Sequence, residues 1–372
     1  MVIVQPYRWS NQGIAQRPHQ ASEPADGVAM PAGPVRIQHS RRGVSRGCIT
    51  RYISDTPHGL RAGARTGGYN AGVQRQRRTT AAPSAPVRRP VEVTLTTTPG
   101  GTRELSRVAI VGGGLMAEAI IRGLIAKGIA SPRAIAVGEP IPSRRDELSA
   151  RHGVAVTPSN RDAVEGAALV VLAVKPQHLA PALVDLRGRL DPSQLVVSIV
   201  AGATIGTLVD GLEHRVVARV MPNTPAQIGQ GMAVWTATQE VDAPSRERVR
   251  AVLGALGEQI EVADEKYLDM ATALSGSGPG YVFLFLEAMI DAGVHLGFPR
   301  PVAQLLVYQT VLGSVLMARE TGGHPAELRN AVTSPAGTTA AGLAELENGR
   351  FRSAIDRCVA AAYERCVELG KK

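Results

Sequence analysis

Val108-Ala109-Ile110-Val111-Gly112-Gly113-Gly114-Leu115-Met116-Ala117 reads as a short buried strand, a glycine turn and the start of a helix. Four consecutive apolar residues suit a strand covered on both faces. In the pattern Gly112-x-Gly114-x-x-Ala117, Gly112 permits the tight turn and Gly114 lets the backbone approach a pyrophosphate. Ala117 keeps helix and strand close, and the helix N-terminus then faces the phosphates. Gly113, Leu115 and Met116 complete this candidate cofactor loop. The loop alone is a weak signal; its place at the head of a strand–helix series points to a dinucleotide.

Outward from the loop, apolar strands recur at residues 134–137, 154–157, 169–174, 195–201 and 216–220, with helical patterns between most of them. Such alternation indicates an α/β domain with a parallel, doubly wound, Rossmann-like sheet covered on both faces. Residues 232–237 and 259–262 read as further strands that close the domain near residue 263. After Asp264 strand signals stop. Residues 281–296, 302–320, 326–331, 338–346 and 352–369 read as helices, so residues 264–372 form an all-helical C-terminal domain. Its apolar faces exceed what about 100 residues could bury alone, which suggests a dimerisation surface.

The chain has 372 residues, net charge +9 and a pI near 9.9. That charge is unevenly placed. Residues 1–106 carry 15 Arg, no Lys and 5 acidic residues, whereas the remainder is close to neutral. A nucleic-acid reading would rest on the extension alone, and none is expected. Residues 1–104, rich in Arg, Gly, Pro, Ser and Thr, lack hydrophobic periodicity and are expected to be a disordered extension. An organelle transit segment, a basic arm and upstream sequence read from too early a start all fit it. The last is favoured, because the next segment begins as a compact domain does. No uninterrupted apolar run reaches the roughly 18 residues of a spanning helix, so no membrane is expected. Cys48, Cys358 and Cys366 form no CxxC pair, and the eight histidines show no zinc spacing, so no metal is expected. A reducing cytoplasm suits this cysteine usage.

Further chemistry gathers where strands end. Glu139, after the second strand, stands where an acid would accept hydrogen bonds from both adenosine ribose hydroxyls, favouring NAD. Ser143, Arg144 and Arg145 follow closely, and an arginine pair suits a 2′-phosphate; a solvated helix start is the plain alternative. Ala173-Val174-Lys175-Pro176 ends a buried strand, and Asn223 ends another in Met221-Pro222-Asn223-Thr224-Pro225. The carboxyl edge of a parallel sheet is where ligands bind. Two small-residue turns lie downstream. Ser275-Gly276-Ser277-Gly278-Pro279-Gly280-Tyr281 reads as uncovered backbone before a helix, and Thr333-Ser334-Pro335-Ala336-Gly337-Thr338-Thr339 as a second such turn.

Together GGGLMA, AVKPQ, MPNTP, LSGSGPGY and VTSPAGTT resemble the pyrroline-5-carboxylate reductase family over about residues 107–369. Gly280 and Ala336 stand where that family more often has alanine and glycine. The resemblance implies reduction of 1-pyrroline-5-carboxylate to L-proline by hydride from NADPH, with NADH possible, in a homodimer or assembly of dimers. It implies that Ser334, Gly337, Thr338 and Thr339 hold the substrate carboxylate, with Thr339 also at the ring nitrogen. It further places Glu265 near the substrate, Ser277 by the nicotinamide and Asn160 on the cofactor. Each threonine would otherwise read as an ordinary helix cap. A hydroxyacid-type dehydrogenase would need a lysine base on the first long helix of the tail, and residues 281–296 contain none. An inactive nucleotide-binding paralogue would show decay of the two small-residue turns, and both are largely intact.

Overall fold

The computed structural model describes residues 105–370, so the expected extension over residues 1–104 lies outside the described residues. Among the described residues eight strands form one sheet: β1 (Val108–Val111), β2 (Ile135–Gly138), β3 (Ala155–Thr157), β4 (Leu169–Leu172), β5 (Leu195–Ser198), β6 (Val217–Met221), β7 (Gly231–Ala237) and β8 (Gly257–Glu261). Their order is β3-β2-β1-β4-β5-β6-β7-β8. Strands β1 to β6 are mutually parallel. The order reverses between β1 and β4, which puts a crevice at their carboxyl ends.

Covering helices are α1 (Leu115–Ala126), α2 (Pro142–His152), α3 (Asn160–Val164), α4 (Leu179–Leu186), α5 (Ile205–Leu212) and α6 (Ala243–Gly254). Alternate strand residues supply the two cores, as a period of two requires. Val108 and Ile110 pack with Ile120, Leu124, Val249 and Trp235 on one face. Ala109 and Val111 pack with Leu183, Leu186 and Leu208 on the other. Leu124 is fully buried, and truncating such a leucine to alanine costs about 2–5 kcal/mol.

The last two strands depart from the parallel sheet expected. β7 runs antiparallel to β6, and β8 lies parallel to β7. The cause is the short connection: residues 222–230 hold only a 3-10 turn, Thr224–Ile228, too little for a parallel crossover, which needs a dozen residues or more. The longer link through α6 lets β8 run parallel to β7.

Beyond β8 the chain is helical: α7 (Lys266–Ala271), α8 (Gly278–His295), α9 (Arg300–Thr321), α10 (Pro325–Ala331), α11 (Thr338–Asn348) and α12 (Phe351–Gly370). Two helical runs, Lys266–His295 and Arg300–Thr321, are longer than the sequence suggests, and length and composition alone would let them cross a membrane. Their apolar side chains are largely uncovered in the single chain: Phe283, Leu284, Leu305, Leu312 and Leu316 are all exposed.

Candidate active site

Three glycines carry β1 into α1, and each has a different neighbour. Gly112 has φ +98°, and a Cβ there would stand 2.9 Å from the Ala173 carbonyl oxygen. Only glycine suits both conditions. A Cβ on Gly113 would lie 2.8 Å from Leu148 Cδ1, whereas one on Gly114 would meet nothing within 4 Å. The loop is therefore packed tightly behind and open in front. Gly114 caps α1 without any side-chain hydrogen bond, which leaves the first-turn N–H groups of this helix for an anion. Such a cradle fits a dinucleotide pyrophosphate. Leu115 and Met116 form that first turn, with Leu115 exposed.

Glu139 turns its carboxylate toward the glycine loop. It is buried, 7% exposed; its Oε2 accepts from the Gly113 N–H at 2.8 Å and its Oε1 from the Ile141 N–H at 2.9 Å. A buried carboxylate needs hydrogen-bond donors, and the loop itself supplies them here. Arg144 turns the same way. Its Nε donates to the Gly113 carbonyl at 2.6 Å, Nη1 to Glu147 at 2.5 Å and Nη2 to Glu118 at 2.6 Å. Arg145 Nη1 donates to the carbonyls of Glu139 and Pro140, both at 2.8 Å. Ser143 is exposed in the first turn of α2, whose N-terminus has no side-chain cap. Burial pushes the Glu118 carboxyl upward, but hydrogen bonds from Arg144, His152 and Arg151 outweigh it and hold the pKa at about 2.

Around the crevice, Asn160 lies against the end of β2, where a Cβ on Gly138 would stand 2.6 Å from its Oδ1. Ala173 and Val174 are half-buried beside Gly112, while Lys175 and Pro176 are exposed at the start of a 3-10 turn. Asn223 is engaged at both ends of its amide. Oδ1 accepts from the Met232 N–H at 2.8 Å and Nδ2 donates to the Ser275 carbonyl at 3.2 Å.

The first small-residue turn is not the open loop its composition suggests. Residues Thr272–Gly276 form a π turn that joins α7 to α8, leaving Ser277 at a bend. The Ser277 N–H donates to the Thr272 carbonyl at 2.8 Å, five residues back. Proline in the first turn of α8 loses no hydrogen bond there, so the helix resumes at once. The Met221 methyl sits 2.6 Å from where a Gly276 Cβ would be, so the π turn seats closely over the end of β6.

The second turn starts α11. Gly337 is its N-cap, again without a side-chain cap, and Thr338 and Thr339 occupy its first turn. The Gly337 N–H donates to the Ser334 carbonyl at 3.0 Å. Ala336 holds φ +57°, a left-handed conformation strained for a residue with a Cβ. Within one chain α11 packs chiefly on α12. The glycine loop, Glu139, Arg144, Asn160 and residues 173–176 thus share one sheet edge. Asn223 meets the π turn there, whereas the residues Ser334, Gly337, Thr338 and Thr339 stand on a separate helix start. A cavity of about 680 Å³ is lined by residues 229–232 and 257–260 with Arg319, at the start of β7 and β8 and not at the glycine loop.

Residues 265–369 match the family described as pyrroline-5-carboxylate reductase dimerisation, and residues 107–202 that described as NADP oxidoreductase, coenzyme F420-dependent. The pyrroline-5-carboxylate reductase of Synechocystis is 45% identical over 266 residues, which cover 72% of this chain and 99% of that protein. The chain belongs to the pyrroline-5-carboxylate reductase family. The Arabidopsis thaliana pyrroline-5-carboxylate reductase is 38% identical over 72% of this chain and 97% of its own. Among solved structures, the Coxiella burnetii pyrroline-5-carboxylate reductase superposes with a TM-score of 0.67 at 36% identity, covering 72% of this chain and all of that one. The Plasmodium falciparum pyrroline carboxylate reductase, solved with NADP bound, also gives 0.67, at 31% identity over 73% of this chain and all of that one.

One buried charge beside Glu265 is not among the residues singled out from the sequence. Arg219, inside β6, is 5% exposed and donates to Glu265 at 2.7 Å and Asp269 at 3.1 Å. Glu265 Oε1 also accepts from the Ile205 N–H at 2.7 Å. Glu265 thereby links β6, α5 and α7. The signal was an arginine inside an apolar strand, since a buried charge demands a partner. Burial raises the pKa of the neighbouring Cys366 thiol on α12, whose Sγ lies 3.7 Å from Asp269 Oδ1.

Proposed function

We propose that the chain reduces 1-pyrroline-5-carboxylate to L-proline, with NADPH preferred and NADH also used. The observation that carries this reading is the glycine loop, braced behind and open in front at the β1/β4 switch point. It stands in a chain that matches reductases of this substrate over nearly their whole length. When bound, the reduced nicotinamide supplies a hydride to the imine carbon while the ring nitrogen carries a proton.

The protein's part is chiefly to hold and orient. Residues 105–263 take the dinucleotide: Gly112, Gly113, Gly114, Leu115 and Met116 with the N-terminus of α1 hold the pyrophosphate. Asn160, residues 173–176 and Asn223 border the nucleotide crevice, and Ser277 sits by the nicotinamide. Residues 264–372 take the substrate. Free N–H groups at the start of α11 and the hydroxyls of Ser334, Thr338 and Thr339 suit a carboxylate, and Glu265 lies near it. Thr339 is the hydrogen-bond partner of the ring nitrogen. No histidine or lysine lies in either turn, so Thr339 or water delivers the proton. Ser143, Arg145 and the uncapped start of α2 suit a 2′-phosphate, and Glu139 turns its carboxylate to the N–H groups of Gly113 and Ile141.

The exposed apolar faces of α8 and α9 are the seam of a homodimer or an assembly of dimers. A cytoplasmic location fits the free thiols Cys358 and Cys366. The test is turnover. Purified enzyme given pyrroline-5-carboxylate and NADPH should consume both and accumulate proline in equal amount; consumption of NADPH without proline would overturn the reading.

A further inference from the structure

Gly113 is gripped on both sides of its α-carbon, by Glu139, which follows β2, and by Arg144 in the first turn of α2. Its N–H donates to Glu139 Oε2 at 2.8 Å, and its carbonyl accepts from Arg144 Nε at 2.6 Å. We propose that Glu139 and Arg144 are positioning residues that set the glycine loop before any dinucleotide binds, and that neither reads the 2′ position of the adenosine ribose. This rests on the dinucleotide reading of the loop.

The remaining atoms of both side chains support the assignment. The second oxygen of Glu139 is held by the Ile141 N–H, so the carboxylate is fixed at both oxygens, one by the glycine loop and one by its own segment. All three guanidinium nitrogens of Arg144 donate within the protein, to Gly113, Glu147 and Glu118. Glu118 stands in the first turn of α1, where an unpaired carboxylate would repel a pyrophosphate; the ion pair with Arg144 offsets that charge. Packing enforces the same loop position, because Leu148 of α2 leaves no room for a Cβ on Gly113. A preset loop spends less binding free energy on its own ordering, and that gain is shared by every dinucleotide. Discrimination at the 2′ position then falls to Ser143 and Arg145.

Two measurements test this on the full chain. The first is amide hydrogen exchange without cofactor at Gly112 and Gly113, whose N–H groups donate to the Gly138 carbonyl and to Glu139. Glu139→Gln and Arg144→Gln should speed exchange there roughly ten- to hundredfold, the loss expected for a hydrogen bond to a charged group, with strands β4 and β5 unaltered. Uniform acceleration across the sheet would mean general destabilisation and would contradict a local clamp. The second is steady-state kinetics with NADPH and NADH. Both variants should raise the two cofactor KM values together, with their ratio, the kcat and the substrate KM changed by less than about twofold. Arg144→Lys should not restore the wild-type values, since one ammonium cannot bridge Gly113, Glu118 and Glu147 at once. A selective loss of NADPH use in Arg144→Gln, recovered in Arg144→Lys, would instead make Arg144 a direct phosphate ligand. A selective loss of NADH use in Glu139→Gln would make Glu139 a ribose reader. Absence of any turnover in the wild type would remove the functional reading and leave the exchange result standing.

Discussion

Asn223 reaches from the end of β6 to the Ser275 carbonyl on the π turn, at 3.2 Å, and so ties the sheet edge to the helical region. Because its Oδ1 also takes the Met232 N–H, Asn223→Ala removes partners from two backbone groups at once. Leaving such groups unsatisfied costs about 1–3 kcal/mol. The variant should unfold several degrees lower in a thermal scan, while Asn223→Asp, which keeps the acceptor for Met232, should lose less. Unchanged thermal stability together with weakened NADPH binding would show that Asn223 serves the cofactor instead.

Ala336 should be improved by glycine. Its left-handed φ of +57° costs about 1–2 kcal/mol for an L-residue, whereas glycine adds about 0.4–1 kcal/mol of unfolded-state entropy. The first term is the larger. Ala336→Gly should therefore stabilise the protein by up to about 1 kcal/mol, read from denaturant unfolding. A lower midpoint would mean that the methyl makes contacts that outweigh the strain.

Glu118 sets an acid limit. Its folded pKa of about 2 lies below the ordinary 4.5, so its contribution is fully present above pH 4.5 and is lost as pH falls from 4.5 toward 2. The stability gap between wild type and Glu118→Gln should be constant from neutral pH down to that window and shrink within it. A gap that stays level through the window would remove the ion-pair account.

On α9, Leu305, Tyr308, Leu312 and Leu316 follow one another at helical spacing and are all exposed, Leu305 by 60%. Covering such a face takes a second chain. The double variant Leu305→Glu, Leu312→Glu should sediment as a monomer at micromolar concentration and lose turnover. A monomer with wild-type activity would show that one chain holds a whole site.

The sheet was legible because buried parallel strands are continuous apolar runs, as in Val108–Val111 and Leu169–Leu172. Strand direction was less so: nothing in residues 231–237 marks β7 as antiparallel, and only the short link from β6 could have told. The stretch around Ser277 misled for a different reason. Glycine, serine and proline are the usual signs of a loop, yet tertiary packing over Met221 keeps them helical. At Glu139 and Arg144 the sequence placed the residues at the correct sheet edge without fixing where their side chains turn. A strand end determines a backbone position, whereas the hydrogen-bond partners of the side chain come from Gly113, a residue far away in the chain.

Hydride transfer is tested most directly with NADPH that carries deuterium at the transferable position of the nicotinamide. Incubated with pyrroline-5-carboxylate and the enzyme, it should yield proline with one deuterium on the ring carbon that was the imine carbon, as read by mass spectrometry and NMR. Proline without deuterium at that carbon, or deuterium found elsewhere in the ring, would contradict direct transfer and with it the account of this site.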